Sequence, residues 1–340
     1  MPTTLEDIAR SLNVSKMTVS RAINNHPEIS AGTRARILEM AQKMHYRPNQ
    51  FARALTTNRS YLIGIVVPDL MHSYFAEICR GVEFNARPAG YQNLICNTDE
   101  DFEKEMAEVE ALLSRTDGLI VASSSTPRHV GFYRKIINSG AKVVLIDRLI
   151  EGLKCPAVTP DDVEVGFLAT EHLIRLGHRR IGHLRGPGVS TAVKRFEGYK
   201  RALMKHRLAY NKTAVHECGY TESEGYAAMA AWVKQGDVPP AVFAANDPAA
   251  IGAMTALNDA GMRIPEDVAL VGGGNIHYGD MLKVPLTTIS WSTNELGQLA
   301  SRLLIDLIDG TKISAKKKHV VVKPELIIRQ SCGAKILAAD

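Results

Sequence analysis

Over the first 47 positions, apolar residues recur every three to four places in three short blocks. Leu5, Ile8, Ala9 and Leu12 fall at i, i+3, i+4 and i+7, behind Thr4 as a candidate cap with Glu6 and Asp7 in the first turn. That spacing predicts a short helix with one buried stripe. Asn13 to Ser15 then predicts a tight turn, with Ser15 capping a second helix whose apolar positions are Val19, Ala22 and Ile23. A third helix follows Ser30, carries Ile37, Met40, Ala41 and Met44 at the same spacing, and stops before Pro48, because the residue preceding a proline leaves the helical region.

From Tyr61 the pattern changes to short apolar runs alternating with amphipathic stretches. The runs predict strands at Leu62 to Val67, Asn93 to Cys96, Gly118 to Ala122 and Val143 to Ile146, then at Ile181 to Leu184, Val215 to Cys218, Val242 to Ala245 and Val268 to Val271. Helical spacing occupies 74–87, 103–114, 163–176, 191–206, 222–234, 248–260 and 294–309. Strand and helix in alternation imply parallel sheets covered on both faces. Two blocks of four strands imply two similar lobes, and ligands of such sheets bind beyond the carboxyl ends of the strands.

Charge separates the two regions further. The chain carries 41 Lys+Arg and 36 Asp+Glu, a net +5. Residues 1–60 hold nine of the basic groups (Arg10, Lys16, Arg21, Arg34, Arg36, Lys43, Arg47, Arg53, Arg59) and four acids (Glu6, Asp7, Glu28, Glu39), so 9 − 4 accounts for the whole excess. A basic head on a neutral body points to a polyanion partner. Within it, the segment Val14 to Asn24 has the form of a recognition helix: short, with one apolar stripe and polar residues at its N-terminal end. Lys16, Met17 and Arg21 are the candidates for base edges, since arginine pairs bidentately with guanine and methionine offers apolar contact to a thymine methyl. Ser15, Thr18 and Ser20 suit phosphate, and Thr4 and Asn24 complete the candidate DNA-binding set on these helices.

The segment Tyr46-Arg47-Pro48-Asn49-Gln50-Phe51-Ala52-Arg53-Ala54-Leu55, taken with T-x-x-D-I-A near the start and V-S-x-x-T-V-S-R, resembles the LacI/GalR type of repressor. Asp117 to Ile120, Arg175 to Ile181, Ala245 to Asp247, Arg263 to Val268 and Pro285 to Ile289 match that family in order and spacing. The resemblance implies an all-α helix-turn-helix head over 1–47, a hinge helix and linker over 48–60, and an α/β core over 61–340. The core would be two doubly wound parallel-sheet lobes of the periplasmic-binding-protein kind, one from about 61–160 and 291–322, the other from about 161–290 and 323–330. It also implies that Leu55, with Asn49, Ala52 and Arg53 beside it, wedges into the minor groove as the hinge folds on DNA. A homodimer would present two heads to a palindromic operator, in the cytoplasm and on the nucleoid.

By the same resemblance, the walls of a small-molecule pocket include Tyr74, Phe75, Asp147, Arg195, Tyr220, Asn246 and Trp291. Aromatic faces beside an arginine, an aspartate and an amide suit a sugar or sugar derivative. One position departs from the family: many sugar-binding members carry an acid where this chain has Gly274, within Gly272-Gly273-Gly274-Asn275. Either the pocket is opened to a larger or acidic ligand facing Arg195, or hydroxyl contacts shift to Asp247 and Asp161.

The remaining chemistry is negative. Five widely spaced cysteines include no C-x-x-C pair, which excludes a disulfide framework and predicts no structural zinc. Eleven histidines show neither HExxH nor other metal spacing, and no G-x-S-x-G elbow is present, so neither an enzyme nor a cofactor is expected; His178 and His183, flanking a strand, read as structural. No secretory signal and no apolar run near the roughly 18–20 residues of a bilayer span occur, which argues against a secreted sugar-binding transport protein and against a membrane partner. The alternative is a DNA-binding regulator controlled by a protein partner, or one unresponsive to small ligands.

Overall fold

The structure, a computed structural model, describes residues 3–46, 54, 57–314 and 318–334. Asn49, Ala52, Arg53 and Leu55 of the expected hinge lie outside the described residues. Contacts divide the chain into two compact units, 1–60 and 61–340.

The first unit contains α1 (Leu5–Leu12), α2 (Lys16–Ile23) and α3 (Ala31–Lys43). Thr4 and Asp7 close a capping box on α1, the Ser15 hydroxyl accepts from the Thr18 amide, and Ser30 caps α3 in the same way. Each cap satisfies an amide that lacks an intrahelical partner. Ile8, Ala9, Val19, Ala22, Ile37 and Ala41 form the buried cluster between the helices, the positions that the three-to-four-residue spacing singled out.

The second unit has two parallel sheets. The larger comprises β1 (Leu62–Val67), β2 (Gln92–Asn97), β3 (Gly118–Val121), β4 (Val143–Ile146), β5 (Ala157–Pro160) and β11 (His319–Val322), in the order β11-β5-β4-β3-β1-β2. The smaller comprises β6 (Ile181–Arg185), β7 (Val215–Glu217), β8 (Ala241–Ala244) and β9 (Ala269–Val271), in the order β7-β6-β8-β9. The helices around them are α4 (Ser73–Ala86), α5 (Phe102–Leu113), α6 (Val130–Asn138), α7 (Asp162–Arg175), α8 (Ser190–Lys205), α9 (Glu222–Gln235), α10 (Asp247–Asp259) and α11 (Thr293–Ile308). In a separate two-stranded sheet, β10 (Thr288–Ser290) pairs with β12 (Glu325–Ile327) antiparallel, an exception to the parallel pairing that strand–helix alternation predicts.

The eight expected strands form, and every helix expected from spacing alone forms within a residue or so. Most of these helices begin one residue early because their first turns are polar, as at Ser73, Asp162, Ser190, Asp247 and Thr293, so the apolar pattern starts after the helix does. Not anticipated were α6, β5, β10, β11 and β12.

Helices α7 and α8 approach each other most closely at Gly166 and Gly198. A Cβ on Gly166 would lie 1.9 Å from the Arg195 carbonyl oxygen, and one on Gly198 would lie 2.0 Å from that of Val163. The two backbones therefore touch, which sets Arg195 of α8 directly against Asp162 at the start of α7.

Candidate functional site

In the head, Lys16, Met17 and Arg21 are exposed on α2, and Met17 keeps 63% of its surface in water. An exposed thioether on a short helix gains nothing from folding, which suits a surface that meets a partner. Arg21 pairs with Glu28 at 2.7 Å, with both side chains largely solvated. The Ser15 and Thr18 hydroxyls bond each other at 2.8 Å, and the Asn24 side-chain amide donates to the Ser20 carbonyl at 2.9 Å. Thr4 caps α1. Arg34, one of the nine basic groups of the head, donates to the carbonyls of His26 and Ile29 and so braces the loop after α2.

In the core, a cleft of about 720 Å³ is lined by all eight expected pocket residues: Tyr74, Phe75, Asp147, Arg195, Tyr220, Asn246, Gly274 and Trp291. The size falls in the range of small-molecule sites. Tyr74 and Phe75 enter at the start of α4, whose cap is His72: the Tyr74 amide donates to Nδ1 at 3.2 Å. That bond requires an unprotonated Nδ1, and burial of the ring, the dominant influence, pushes His72 down to about 4. Asp147 follows β4 with φ at +65°, a left-handed turn that aims its carboxylate into the cleft. The Tyr74 hydroxyl donates to Asp147, and the Trp291 indole donates to the Tyr74 oxygen at 3.1 Å. Tyr74 and Trp291 meet edge to face, centroids 5.9 Å apart. Burial raises the Asp147 carboxyl above its ordinary range, with Arg148 and Arg195 opposing.

Arg195 donates from Nε to Asp162 at 2.9 Å and from Nη1 to the Ala245 carbonyl at 2.6 Å, while its guanidinium carbon lies 5.0 Å from the Trp291 ring centroid. Burial pushes the Asp162 carboxyl up to about 6, against the pull of Arg195. Asn246 uses both ends of its amide locally: Oδ1 accepts from Ala249 and Nδ2 donates to the Tyr220 carbonyl. Its role is to hold the Tyr220 loop. Tyr220 lies on Gly186, where a Cβ would be 2.5 Å from its ring, and its hydroxyl bonds Thr191 at 2.7 Å.

The triglycine segment lies on this wall. A Cβ on Gly272 would fall 2.2 Å from Asp247 Oδ1, and Gly274 has φ at +131°, where a side chain is strained. Neither alternative acceptor replaces the missing acid. Asp247 is buried, taking the Thr288 hydroxyl on one oxygen and the Ile276 amide on the other, both at 2.6 Å, and Asp161 caps α7 by accepting from Glu164. Both carboxylates hold backbone in place, and neither lines the cleft.

Sequence reasoning missed Arg148, Glu100, Ser124 and Thr191, which also line the cleft. Arg148 directly follows Asp147, and Glu100 and Ser124 sit just past β2 and β3, so their place at carboxyl ends of strands was a usable signal. His183 is fully buried in β6, stacked on Phe243 with centroids 4.7 Å apart and bonded to the Phe243 carbonyl. Among the described residues no group of three histidine, cysteine or acidic side chains could hold a metal ion, and no helix is long and apolar enough to cross a membrane.

Comparison with known proteins adds an independent line. Residues 4–49 match the bacterial regulatory proteins of the lacI family, and residues 170–332 match a periplasmic binding protein-like domain. The HTH-type transcriptional repressor PurR of Pasteurella multocida is 33% identical over 336 residues, covering 98% of this chain and 99% of that protein. Among solved structures, the lac repressor dimer bound to operator and the anti-inducer ONPF superposes with a TM-score of 0.87 at 25% identity, covering 98% of this chain and all of that one. The complex of the transcriptional regulator CelR with cellobiose gives a TM-score of 0.73 at 27% identity, covering 97% and 99%.

Proposed function

The chain belongs to the LacI family of bacterial regulatory proteins, a ligand-responsive, operator-binding transcriptional regulator and not an enzyme, and from that premise we propose that its effector is an uncharged polyhydroxylated molecule held in the cleft. The observation that carries this reading is the pairing of four aromatic rings, Tyr74, Phe75, Tyr220 and Trp291, with two arginines that carboxylates of the same chain already neutralise. Rings cover the apolar face of a sugar, and carboxylates take its hydroxyls. An acidic ligand would bring a further negative charge to a wall that already carries Asp69, Glu100, Asp147 and Glu224. Cellobiose, found in the CelR complex, is of the class proposed.

In the head, Lys16, Met17 and Arg21 read base edges while Ser15, Thr18 and Ser20 grip phosphate, and Thr4 and Asn24 complete the DNA-binding set. Residues 48–60 form the hinge, with Asn49, Ala52 and Arg53 in the minor groove and Leu55 as the wedge. The core, 61–340, pairs with a second copy, so that a palindromic operator meets two heads. Effector entry alters the angle between the lobes and thereby the fraction of molecules able to bind operator. The site of action is the cytoplasmic nucleoid.

Calorimetry of the full chain against neutral sugars, sugar acids and purines tests the effector. Each binder is then assayed for its effect on affinity for an operator selected from random DNA. A neutral sugar that binds and changes operator affinity is the expected result. Binding confined to purines or acids, or none across the panel, overturns it.

A further inference from the structure

Arg148 is the most tightly enclosed cation of the cleft, with 4% of its side chain exposed. Its two terminal nitrogens each reach one Glu100 oxygen at 2.6 Å, forming a two-pronged pair. Nε, on the other edge, has no hydrogen-bond partner among the described residues and lies 3.6 Å from Asp147 Oδ2. The flat face of the guanidinium lies 5.2 Å from the centroid of Tyr220, on the opposite lobe. Thus each edge that could grip a ligand carboxylate or phosphate with paired donors already faces a carboxylate of this chain.

Glu100 is itself built in. Its backbone has φ at +57° after Asp99 at +53°. Its amide donates to the Pro68 carbonyl at 3.2 Å, and the Ser124 hydroxyl donates to its Oε2 at 2.9 Å. Ser124 is anchored in turn, its amide donating to the buried Glu105 at 2.7 Å. Burial works against the Glu100 carboxylate, but Arg148 and Ser124 outweigh it and hold its pKa below the ordinary value. The arrangement fixes the charge and direction of one arginine in the cleft.

We propose that Glu100 is a positioning residue that sets the charge class of the ligand: by occupying the paired-donor edge of Arg148 it closes the cleft to anionic ligands and reserves it for neutral ones. Specificity of this kind is rejection as much as attraction, since an anion would have to displace Glu100 from a buried guanidinium before gaining anything. The proposal rests on the cleft being the effector site and names the residue that selects within it.

The test is calorimetry of the full chain with inorganic phosphate and D-galacturonate as anionic probes and D-galactose as the neutral counterpart. Glu100→Gln exposes the arginine fork, and the double variant Glu100→Gln/Arg148→Met removes it again. Expected is a gain of about tenfold or more in affinity for both anions in Glu100→Gln, absent from the double variant and not matched for galactose. Circular dichroism and thermal unfolding establish that each variant is folded. If Glu100→Gln is not, Glu100→Asp serves, because a shorter carboxylate cannot reach both nitrogens equally, and the gain is smaller but of the same sign. Wild type that binds the anions as tightly as the variants, a folded variant with no gain, or a gain that survives loss of Arg148 overturns the proposal. Failure of every neutral sugar to bind wild type would instead count against the effector reading, and leaves the anion comparison legible.

Discussion

The polar residues of α2 and those of the cleft differ in how far along the chain their partners lie and in how much water they see. Arg21 meets Glu28 seven positions away, and both remain largely solvated. Arg195 meets Asp162 and Ala245, 33 and 50 positions away, and Trp291 meets Tyr74 across 217 positions, all buried. The first arrangement leaves each side chain nearly independent, ready to exchange a weak neighbour for a base or phosphate. The second couples each side chain to the fold, so that changing what the cleft recognises also changes what holds the core together.

If that contrast is right, the largest effect should come from Asp162→Ala, which strands the buried Arg195 without its carboxylate. A loss of about 3–5 kcal/mol in urea unfolding of the core is expected, and a loss under about 1 kcal/mol would show that Arg195 is far less coupled than its geometry implies. Next comes acid. Burial pushes His183 down to about 4, whereas in the unfolded chain it titrates near 6.5. Above that pH both states hold the neutral ring. As pH falls toward 4 only the unfolded state takes the proton, so stability falls, by on the order of 3 kcal/mol at most. His183→Gln cannot take a proton, and its stability should fall less with acid than that of wild type; parallel curves would exclude the histidine as the cause.

In the head the effects should be on binding and not on folding. Arg21→Ala is expected to weaken selected-operator binding by about 1–3 kcal/mol and to relax preference at one base per half-site, with unfolding unchanged. An unaltered sequence preference in a random-pool selection would remove Arg21 from the base-reading set. Smallest of all, Glu28→Ala should shift head stability by less than about 1 kcal/mol and slightly strengthen DNA binding by releasing Arg21, which titration against selected operator at two salt concentrations would reveal.

The same contrast explains which features the sequence displays and which it conceals. The head is legible because its caps and stripes are local: Thr4 with Asp7, Ser15 with Thr18, and an apolar residue every turn. The strands are most legible where apolar residues run together, as in Leu62 to Val67 and Val143 to Ile146. The eight pocket residues came from family resemblance, and all of them line one cleft. The strand ends pointed to Arg148 and Glu100 as cleft neighbours, but their pairing stayed hidden because it spans 48 positions, and no spacing rule links residues so far apart. Asp247 misled for a related reason: a carboxylate beside a pocket in sequence can face away from it, and here it braces Thr288 and Ile276.

Trp291 has a further consequence, an optical one. The chain contains two tryptophans. Trp291 lines the cleft between the Arg195 guanidinium and the Tyr74 hydroxyl, while Trp232 is sealed in the second lobe against His216, centroids 4.4 Å apart. One indole therefore stands where an entering molecule must alter its surroundings, and the other where it does not. The unlabelled protein carries both a reporter of occupancy and an internal reference for it.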